Sequence, residues 1–285
     1  MNSTASEYNN KKWSEFTIHT SDSLKLYGAT LGNSVESEAV VVLVHGLGEH
    51  FKRYQHVAEK MTDQGLYVVG FDQRGHGRSE GKKGHAPSSQ QLMRDISVVI
   101  GLAKSNAPHL PVFLYGHSLG ALEVLYYALT EKPELKGVIA TSPPLDISST
   151  PQSKITMAKV MNPILPGLIV SNALDTTALS RDPEIVEAYK ADPLVHDKIS
   201  VRLGAFLIEG AQYVLEHAAE WTLPLYLAHG TQDRICKIAG TDAFYEKANG
   251  PITYKRWDGL YHETHNEPEK EKVIQTMLDW IKNEL

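Results

Sequence analysis

The sequence predicts an α/β fold with a mostly parallel central sheet, helices on both faces of the sheet, and a helical cap inserted between two strands. The first indication is the stretch 39–44, which is continuous, apolar and rich in valine, as in a strand covered on both faces. The second is the alternation of such stretches with segments of helical periodicity, which is typical of parallel βαβ units. The third is that no parallel-sheet strand pattern is found from Pro143 to about Trp221.

Before that gap, strands and helices alternate. Two short β-rich stretches with a polar turn between them predict a hairpin, and a later helix is amphipathic, with Leu92, Ile96 and Val99 on one face. The predicted strands are 14–20, 24–30, 39–44, 66–71, 111–115 and 137–141. The predicted helices are 54–64, 90–105 and 119–129.

The gap itself predicts helices. The stretch 155–170 is apolar but interrupted by prolines. Asp182 and Pro183 are typical of a helix start, and helices are predicted over 182–190 and 200–220. The sheet pattern then resumes, with strands at 224–228 and 252–257 and helices at 239–248 and 269–285. The chain therefore divides into a polar tail (1–12), a first part of the core (13–142), the cap (143–221) and a second part of the core (222–285).

The composition is that of an ordinary globular protein. Of 285 residues, 42% are hydrophobic and 22% are charged, so a large core is available without disulfides. A net charge of −6 without a basic block argues against nucleic-acid binding, and no signal of an oligomeric state is present. Because there is one cysteine, no apolar leader and no membrane-spanning stretch, we expect a cytoplasmic protein.

The stretch 116–120, Gly-His-Ser-Leu-Gly, lies between a predicted strand and a predicted helix. This context indicates a nucleophile elbow, in which Ser118 is lifted off the end of the strand. Gly116 and Gly120 leave room for the sharp turn, because a side chain at either position would crowd it. The following helix directs free N–H groups toward negative charge that develops beside the serine.

Two further residues follow predicted strand ends, in the chain order that this elbow requires. They are Asp233 and His262, and the carboxyl ends of parallel strands share one edge of a sheet. His262 would take the proton of Ser118 as general base, and Asp233 would orient the imidazole and stabilise its charged form. Asp146 and Asp258 stay open as alternative acids.

A tetrahedral intermediate at Ser118 needs backbone donors for its negative charge. We expect the N–H groups of Leu119, directly after the serine, and of Leu47, in the loop 45–50, to supply them. Gly46 and Gly48 allow this loop to approach closely.

Neither a cofactor nor a metal is predicted. The chain has no dinucleotide-binding glycine motif and no phosphate-binding loop. His262 and His265 are spaced for chelation on a helix, but no carboxylate or cysteine stands at a companion spacing.

Several motifs across the chain occur together. They are 45–50 followed by Arg53 and Tyr54, 72–79, 116–120, 230–234, Tyr261–His262 with His265, and in the cap 180–181 and 192–194. Together they resemble the monoacylglycerol lipases of the α/β-hydrolase superfamily. The likeness runs from about Trp13 to the C-terminus, although Leu47 is bulkier than the residue often found there. It implies an α/β-hydrolase fold and a small lipid ester as substrate.

The resemblance implies further site residues. In this family the residues matching Glu49, Arg53 and His265 line a polar pocket for the glycerol head group, and Tyr189 matches a cap tyrosine near it. Glu49 and Arg53 are also spaced as an i,i+4 ion pair at a helix start, and both interpretations can hold. Cys236 matches a free cysteine near the site in some relatives, and it fits a small buried apolar side chain equally well.

In such lipases the acyl chain lies in an apolar channel under the cap. The resemblance assigns this channel, or a face toward a membrane, to Ile155, Val160, Ile164, Leu165, Leu168 and Ile169. Ordinary packing of a cap helix explains any single one of them equally well. The same proline-broken stretch predicts peripheral membrane association, as an interfacial element rather than a span.

We therefore expect a serine hydrolase that cleaves monoacylglycerols to fatty acid and glycerol through an acyl-enzyme. A lysophospholipase and a general carboxylesterase would share the triad, and both stay open as alternatives. A non-catalytic binding protein is the alternative from another class, because a fold does not dictate a function.

Overall fold

The structure, a computed structural model, describes residues 12–148 and 152–285. Its strands are β1 (Ser14–His19), β2 (Lys25–Leu31), β3 (Ala39–Val44), β4 (Leu66–Phe71), β5 (Val112–His117), β6 (Gly137–Thr141), β7 (Ile169–Ser171), β8 (Lys198–Ser200), β9 (Leu225–Gly230) and β10 (Ile252–Trp257). Its α-helices are α1 (Gln55–Asp63), α2 (Ser89–Asn106), α3 (Leu119–Glu131), α4 (Gln152–Ile164), α5 (Pro183–Ala191), α6 (Val201–Glu216), α7 (Ile238–Lys247) and α8 (Lys270–Glu284). Most of the predicted tail, residues 1–11, lies outside the described residues.

The central sheet has eight strands in the order β1-β2-β4-β3-β5-β6-β9-β10. β1 pairs with β2 and β2 pairs with β4 in antiparallel orientation, and the neighbours from β4 to β10 are all parallel. The predicted fold class is confirmed, and so is the N-terminal hairpin. Because β5, β9 and β10 run in the same direction, the residues that follow them meet at one edge of the sheet.

The sequence of the inner strands explains why helices cover both faces of this sheet. β3, β4, β5, β6 and β9 are buried along their whole length, because their apolar runs leave neither face for water. One face packs against α2 and α3, and α6 packs on α3, in a cluster that includes Ile96, Leu122 and Phe206. The other face packs against α1 and α8 in a cluster that includes Met61 and Ile281.

Two predictions for the segment between β6 and β9 need correction. β7 and β8 form a small antiparallel sheet that the sequence does not predict, because three residues are too few to show a period. The helix predicted over 200–220 ends at Glu216, and a separate 3₁₀ turn spans Ala218–Glu220. The start of α5 is as predicted, since the Asp182 side chain accepts a hydrogen bond from the N–H of Glu184.

A hydrogen bond and an ion pair connect this inserted segment to loops of the core. The N–H of His196 donates to the carbonyl oxygen of Gly48 at 2.8 Å. Gly48 has a φ of 77°, and a Cβ atom there would lie 2.3 Å from the carbonyl oxygen of His196. Arg181 adds an ion pair to the buried Glu267 at 2.8 Å. Within the described ranges, none of the helices is long and apolar enough to cross a membrane.

A buried carboxyl group in α3 makes the stability of the fold depend on pH. Glu123 is fully buried, and neither of its carboxyl oxygens has a hydrogen-bond partner within the described residues. Burial, aided by the charge of Asp95, raises the pKa of Glu123 well above its ordinary value of 4.5. The folded protein therefore keeps a proton that the unfolded chain releases above that value, so stability falls as the pH rises.

Glu123→Gln is expected to remove this loss of stability at higher pH. The variant should be more stable than the parent, and the difference in unfolding free energy should grow by up to about 1.4 kcal/mol per pH unit above about pH 4.5. Urea denaturation from about pH 5 to about pH 8 measures the difference. Glu131→Gln, at the exposed end of the same helix, is the matched control. A difference between Glu123→Gln and the parent that does not change with pH would contradict the assignment.

Candidate active site

The backbone at Ser118 holds its side chain at the tip of a turn between β5 and α3. Its φ of 53° lies in the left-handed region. A Cβ atom on Gly116 would lie 2.2 Å from the carbonyl oxygen of Gly120, and one on Gly120 would lie 2.2 Å from that of Val44. The N–H of Ser118 donates to the carbonyl oxygen of Thr141 at 2.9 Å. The turn is therefore fixed against both neighbouring strands.

Asp233 and His262 face each other beyond the ends of β9 and β10. His262 Nδ1 lies 2.7 Å from Asp233 Oδ2, and both side chains are buried. Burial alone would lower the pKa of His262, but the charge and hydrogen bond of Asp233 raise it above the ordinary 6.5. Burial alone would raise the pKa of Asp233, but His262 and His229 hold it well below its usual range. An ionised carboxylate thus stands ready to stabilise a protonated imidazole.

Asp233 is held in place by further donors. Its Oδ1 accepts the N–H groups of Ile235 at 2.8 Å and Cys236 at 2.9 Å, and its Oδ2 lies 3.1 Å from Nε2 of the buried His229. His229 Nε2 also lies 2.7 Å from the carbonyl oxygen of Cys236. Sequence reasoning missed His229, because it lies in β9 and a spacing of four residues predicts contact with Asp233 only on a helix.

The two alternative acids have other partners. Asp146 Oδ1 accepts the N–H of Ser148 at 2.9 Å. Asp258 is exposed, and its Oδ1 accepts the hydroxyl of Thr231 at 3.2 Å. The geometry therefore favours Asp233 as the partner of the imidazole.

The loop after β3 brings a second backbone donor close to the serine. A Cβ atom on Gly46 would lie 3.3 Å from Cβ of Ser118, so the loop backbone runs directly beside it. The N–H of Gly46 donates to Glu49 Oε1 at 2.7 Å, and the next donor along the loop is that of Leu47. Leu119 is the first residue of α3, so its N–H is one that the helix cannot use. Leu47 and Leu119 both line the cavity at Ser118.

Glu49 and Glu263 share one guanidinium. Arg53 donates to Glu49 and, through both terminal nitrogens, to Glu263 at 2.7 and 2.8 Å. Glu49 also accepts the hydroxyl of Tyr54 at 2.7 Å, and the centre of the Tyr189 ring lies 4.7 Å from the guanidinium carbon. The three charged side chains are at most 10% exposed, so two carboxylates and one cation leave a net negative charge in the interior.

Glu263 is a second residue that sequence reasoning missed. Burial alone would raise the pKa of Glu263, but Arg53 lowers it to about 2, so the carboxylate is ionised at neutral pH. It directly follows His262 in the chain and belongs to the cavity wall beside it. The position of Glu263 next to the candidate base is visible in the sequence and could have marked it as a site residue. Its contact with Arg53 appears only in the folded chain.

A cavity of about 490 Å³ opens at Ser118 and His262. Glu49, Tyr189 and Glu263 form a polar wall. The apolar wall includes Val170, Leu174, Leu179, Ile199, Leu207 and Ile235. A chamber of this size, with few polar groups and many apolar ones, fits a small molecule that has a polar head and an apolar tail.

Arg53 and His265 lie behind the polar wall. Arg53 turns toward its two carboxylates, which occupy the wall themselves. His265 is 2% exposed and its ring stacks on Tyr54, with centroids 4.7 Å apart. Within the described part of the chain, neither ring nitrogen of His265 has a hydrogen-bond partner, and burial lowers its pKa to about 3. Neither residue belongs to the cavity lining itself, so their role toward a head group stays a prediction.

The six apolar residues predicted to line an acyl channel or to face a membrane lie outside the cavity wall. Among the residues that the structure describes, the cavity wall includes none of Ile155, Val160, Ile164, Leu165, Leu168 and Ile169. Val160 and Ile164 are 55% and 65% exposed, and Leu165 and Leu168 are 49% and 44% exposed. The physical reason is that β7, β8 and α6 supply the apolar wall, whereas α4 and the turn after it present apolar side chains to the surface.

Cys236 belongs to the cavity wall beside Ser118. Burial and the charge of Asp233 raise the pKa of its thiol well above the usual range, although a hydrogen bond with Ser118 opposes them. A neutral, buried thiol packs as a small side chain and is a weak hydrogen-bonding group. Over the described ranges, no group of three or more His, Cys, Asp or Glu residues is arranged to hold a metal ion.

Comparison with known proteins finds a matching family model and related lipases. A family model described as serine aminopeptidase, S33, matches residues 35–269. The chain is 37% identical to a monoacylglycerol lipase of Mycolicibacterium smegmatis over 253 residues, which cover 88% of this chain and 90% of that protein. It is 32% identical to a phospholipase of Bacillus subtilis over 243 residues, 83% of this chain and 92% of that protein.

A solved structure adds to these matches. The monoacylglycerol lipase of Paleococcus ferrophilus is 37% identical and superposes with a TM-score of 0.85, covering 91% of this chain and 99% of that one. An uncharacterized abhydrolase domain-containing protein of Dictyostelium discoideum is 36% identical over 273 residues, 93% of this chain. The chain spans 28% of the length of that Dictyostelium protein.

The raised pKa of His262 predicts the pH dependence of catalysis. His262 has to be unprotonated to accept the serine proton, so kcat/KM should fall as the pH drops through a pKa above 6.5. Asp233→Asn should lower kcat about 10⁴-fold, because an amide neither fixes the tautomer nor stabilises the imidazolium. It should also move the acidic limb to lower pH, because burial would then act on the ring without the opposing charge.

Rates with a water-soluble p-nitrophenyl ester across the pH range measure both effects. Asp258→Asn is the matched control, since this aspartate is exposed and shares the loop of His262. The control should keep the parent rate and profile. If Asp258→Asn lost as much activity as Asp233→Asn, the assignment of the acid would be overturned.

Proposed function

We propose, from the premise that this chain belongs to the monoacylglycerol lipase-like α/β-hydrolases, that it cleaves monoacylglycerols to a fatty acid and glycerol. As a member of this family it is a serine hydrolase that acts on esters. The observation that supports the finer assignment is the cavity at Ser118, with its one polar and one apolar wall. A monoacylglycerol has one neutral polyol head and one acyl chain, so it matches both walls.

In the proposed reaction, Ser118 Oγ attacks the ester carbonyl carbon while His262 takes the serine proton. The oxyanion accepts hydrogen bonds from the N–H groups of Leu47 and Leu119. Collapse of this intermediate breaks the bond to the glycerol oxygen, and glycerol leaves with the proton from His262. Water, deprotonated by His262, then attacks the acyl-enzyme, releases the fatty acid and restores Ser118. Asp233 stabilises the imidazolium in both halves of the cycle.

The charge of the polar wall supports a neutral head group. Glu49 and Glu263 share Arg53, so a phosphate in this position would meet excess negative charge. Phosphate sites are built the opposite way, with arginine or lysine groups that donate to the anion. This favours a monoacylglycerol over a lysophospholipid. The apolar wall in turn favours a long acyl chain over the short chains that a general carboxylesterase takes.

Ser118→Ala is expected to lower kcat for a long-chain monoacylglycerol about 10⁶-fold, because the members of a triad act as a unit. Release of free fatty acid measures the rate. Ser105→Ala, which removes an exposed hydroxyl in α2, is the control and should keep the parent rate. A Ser118→Ala protein that retains most of its activity would overturn the proposed nucleophile.

The same assay, extended to a series of substrates, tests the substrate class. kcat/KM should rise with monoacylglycerol chain length and exceed the values for an anionic lysophospholipid of equal chain length and for p-nitrophenyl acetate. Preference for the lysophospholipid would identify a lysophospholipase, and preference for the acetate a general carboxylesterase. Failure of a fluorophosphonate probe to label Ser118 would favour the non-catalytic binding protein.

We also propose that an exposed apolar patch rests on lipid surfaces. The patch consists of Val160, Ile164, Leu165 and Leu168, whose exposed fractions range from 44% to 65%. Apolar patches of this kind mark contact sites for membranes or proteins, and an ester that resides in a membrane makes a lipid surface the fitting partner. The cytoplasmic location stays a prediction.

Changing Ile164 and Leu165 together to serine should lower the partition onto neutral phosphatidylcholine vesicles at least about tenfold, because two large apolar side chains no longer enter the interface. Vesicle flotation measures the partition. Val35→Ser is the matched control, since Val35 is 79% exposed and lies in the loop between β2 and β3. Turnover of a water-soluble ester should not change in either variant. A parent protein that stays in solution would remove the proposal.

A further inference from the structure

We infer that Ser142 is a positioning residue for this hydrolase, acting through the backbone of His262. The inference rests on the proposed function, because it assigns a role in the same catalytic cycle. Ser142 directly follows β6 and is fully buried. Its hydroxyl donates to the carbonyl oxygen of His262 at 2.8 Å, and its N–H donates to the carbonyl oxygen of Ala228 at 2.8 Å.

The backbone of Ser142 has an unusual conformation for a residue with a side chain. Its φ of 50° lies in the left-handed region, which glycine adopts most readily. Ser118, at the end of the adjacent strand, has the same feature with a φ of 53°. Glycine would meet the backbone requirement at residue 142 by itself, so the hydroxyl has to be explained by what it contacts.

The end of β6 contacts the backbone of both Ser118 and His262. The carbonyl oxygen of Thr141 accepts the N–H of Ser118 at 2.9 Å, and the hydroxyl of the next residue, Ser142, holds the carbonyl group of His262. Two consecutive residues therefore connect the nucleophile turn to the loop that carries the base. The separation between Ser118 and the imidazole is set through one buried strand end.

Asp233 and Ser142 hold different parts of His262. Asp233 contacts Nδ1 and fixes the orientation of the ring, whereas Ser142 contacts the carbonyl oxygen and fixes the position of the backbone that carries the ring. The carbonyl oxygen of His262 also accepts the N–H of Thr264 at 3.1 Å, but that donor belongs to the same loop and moves with it. Removing the Ser142 hydroxyl therefore leaves this carbonyl group hydrogen-bonded. The change should alter the position of His262 more than the stability of the fold.

Ser180 provides a matched control for the structural part of this contact. It is 3% exposed, and its hydroxyl donates to the carbonyl oxygen of Asn266 at 3.0 Å. Asn266 lies four residues beyond His262 in the chain. Ser142→Ala and Ser180→Ala thus each remove one buried hydroxyl that is bonded to the main chain near His262, and only the first removes a bond to His262 itself. Ser180→Ala also removes the acceptor of the Asp182 N–H, at 3.0 Å, so it is the stricter control for loss of stability.

Ser142→Ala is expected to lower kcat for a water-soluble p-nitrophenyl ester about 10- to 100-fold with KM changed less than about threefold, because a displaced base slows proton transfer without removing a substrate contact. Ser142→Gly should lose as much kcat and melt no lower than Ser142→Ala, since glycine relieves the left-handed backbone. Ser180→Ala should melt somewhat below the parent and keep kcat within about twofold.

Three outcomes would overturn the inference. Ser142→Gly could keep the parent kcat, Ser142→Ala and Ser180→Ala could lower kcat equally, or KM could rise as much as kcat falls. Ser118→Ala in the same assay separates this inference from the proposed function. An active Ser118→Ala protein overturns the proposed hydrolase, whereas an inactive one beside fully active Ser142 variants overturns the positioning role alone.

Discussion

The close contact between the start of α3 and the end of β3 is the constraint on which the rest of the site depends. Only glycine fits at residue 120, where a Cβ atom would lie 2.2 Å from the carbonyl oxygen of Val44. This contact forces the sharp turn at Ser118 and brings the first N–H groups of α3 beside the loop that carries Leu47. The contacts of Ser118 with Thr141 and of Ser142 with His262 then extend the same rigid edge to the base.

The bounds of three strands that are buried on both faces, β3, β4 and β6, could be predicted from their sequence, because each of their residues carries the signal. The predicted bounds of the half-exposed edge strand β10 also agree with those of the structure. β7 and β8 could not be predicted, since each has three residues and is held by contacts between distant segments. The end of α6 at Glu216 was also hidden, because neither glycine nor proline occurs from residue 211 to residue 223.

The residues of the candidate site also divide into those that the sequence could predict and those that it could not. Ser118, Asp233 and His262 follow strand ends, so a general rule of parallel sheets suffices to predict that they meet. The polar wall follows no such rule, because Arg53 and Glu263 are 210 residues apart and only the fold brings them together. The apolar wall depends on which side of the insertion faces inward, and the proline-interrupted stretch has too little periodicity to decide that. The exposed apolar patch and the cavity wall therefore had to be told apart by the structure.

The excess charge where Glu49 and Glu263 share Arg53 acts at the end of the cycle as well as at its start. In the proposed reaction, hydrolysis converts a neutral ester into a fatty acid, which ionises at neutral pH. The new carboxylate would form beside the excess negative charge of Glu49 and Glu263, which share the single cation of Arg53. Repulsion among these groups weakens product binding relative to that of the substrate. In the proposed reaction, the same buried charge that favours a neutral lipid would disfavour the anion made from it and so would limit product inhibition.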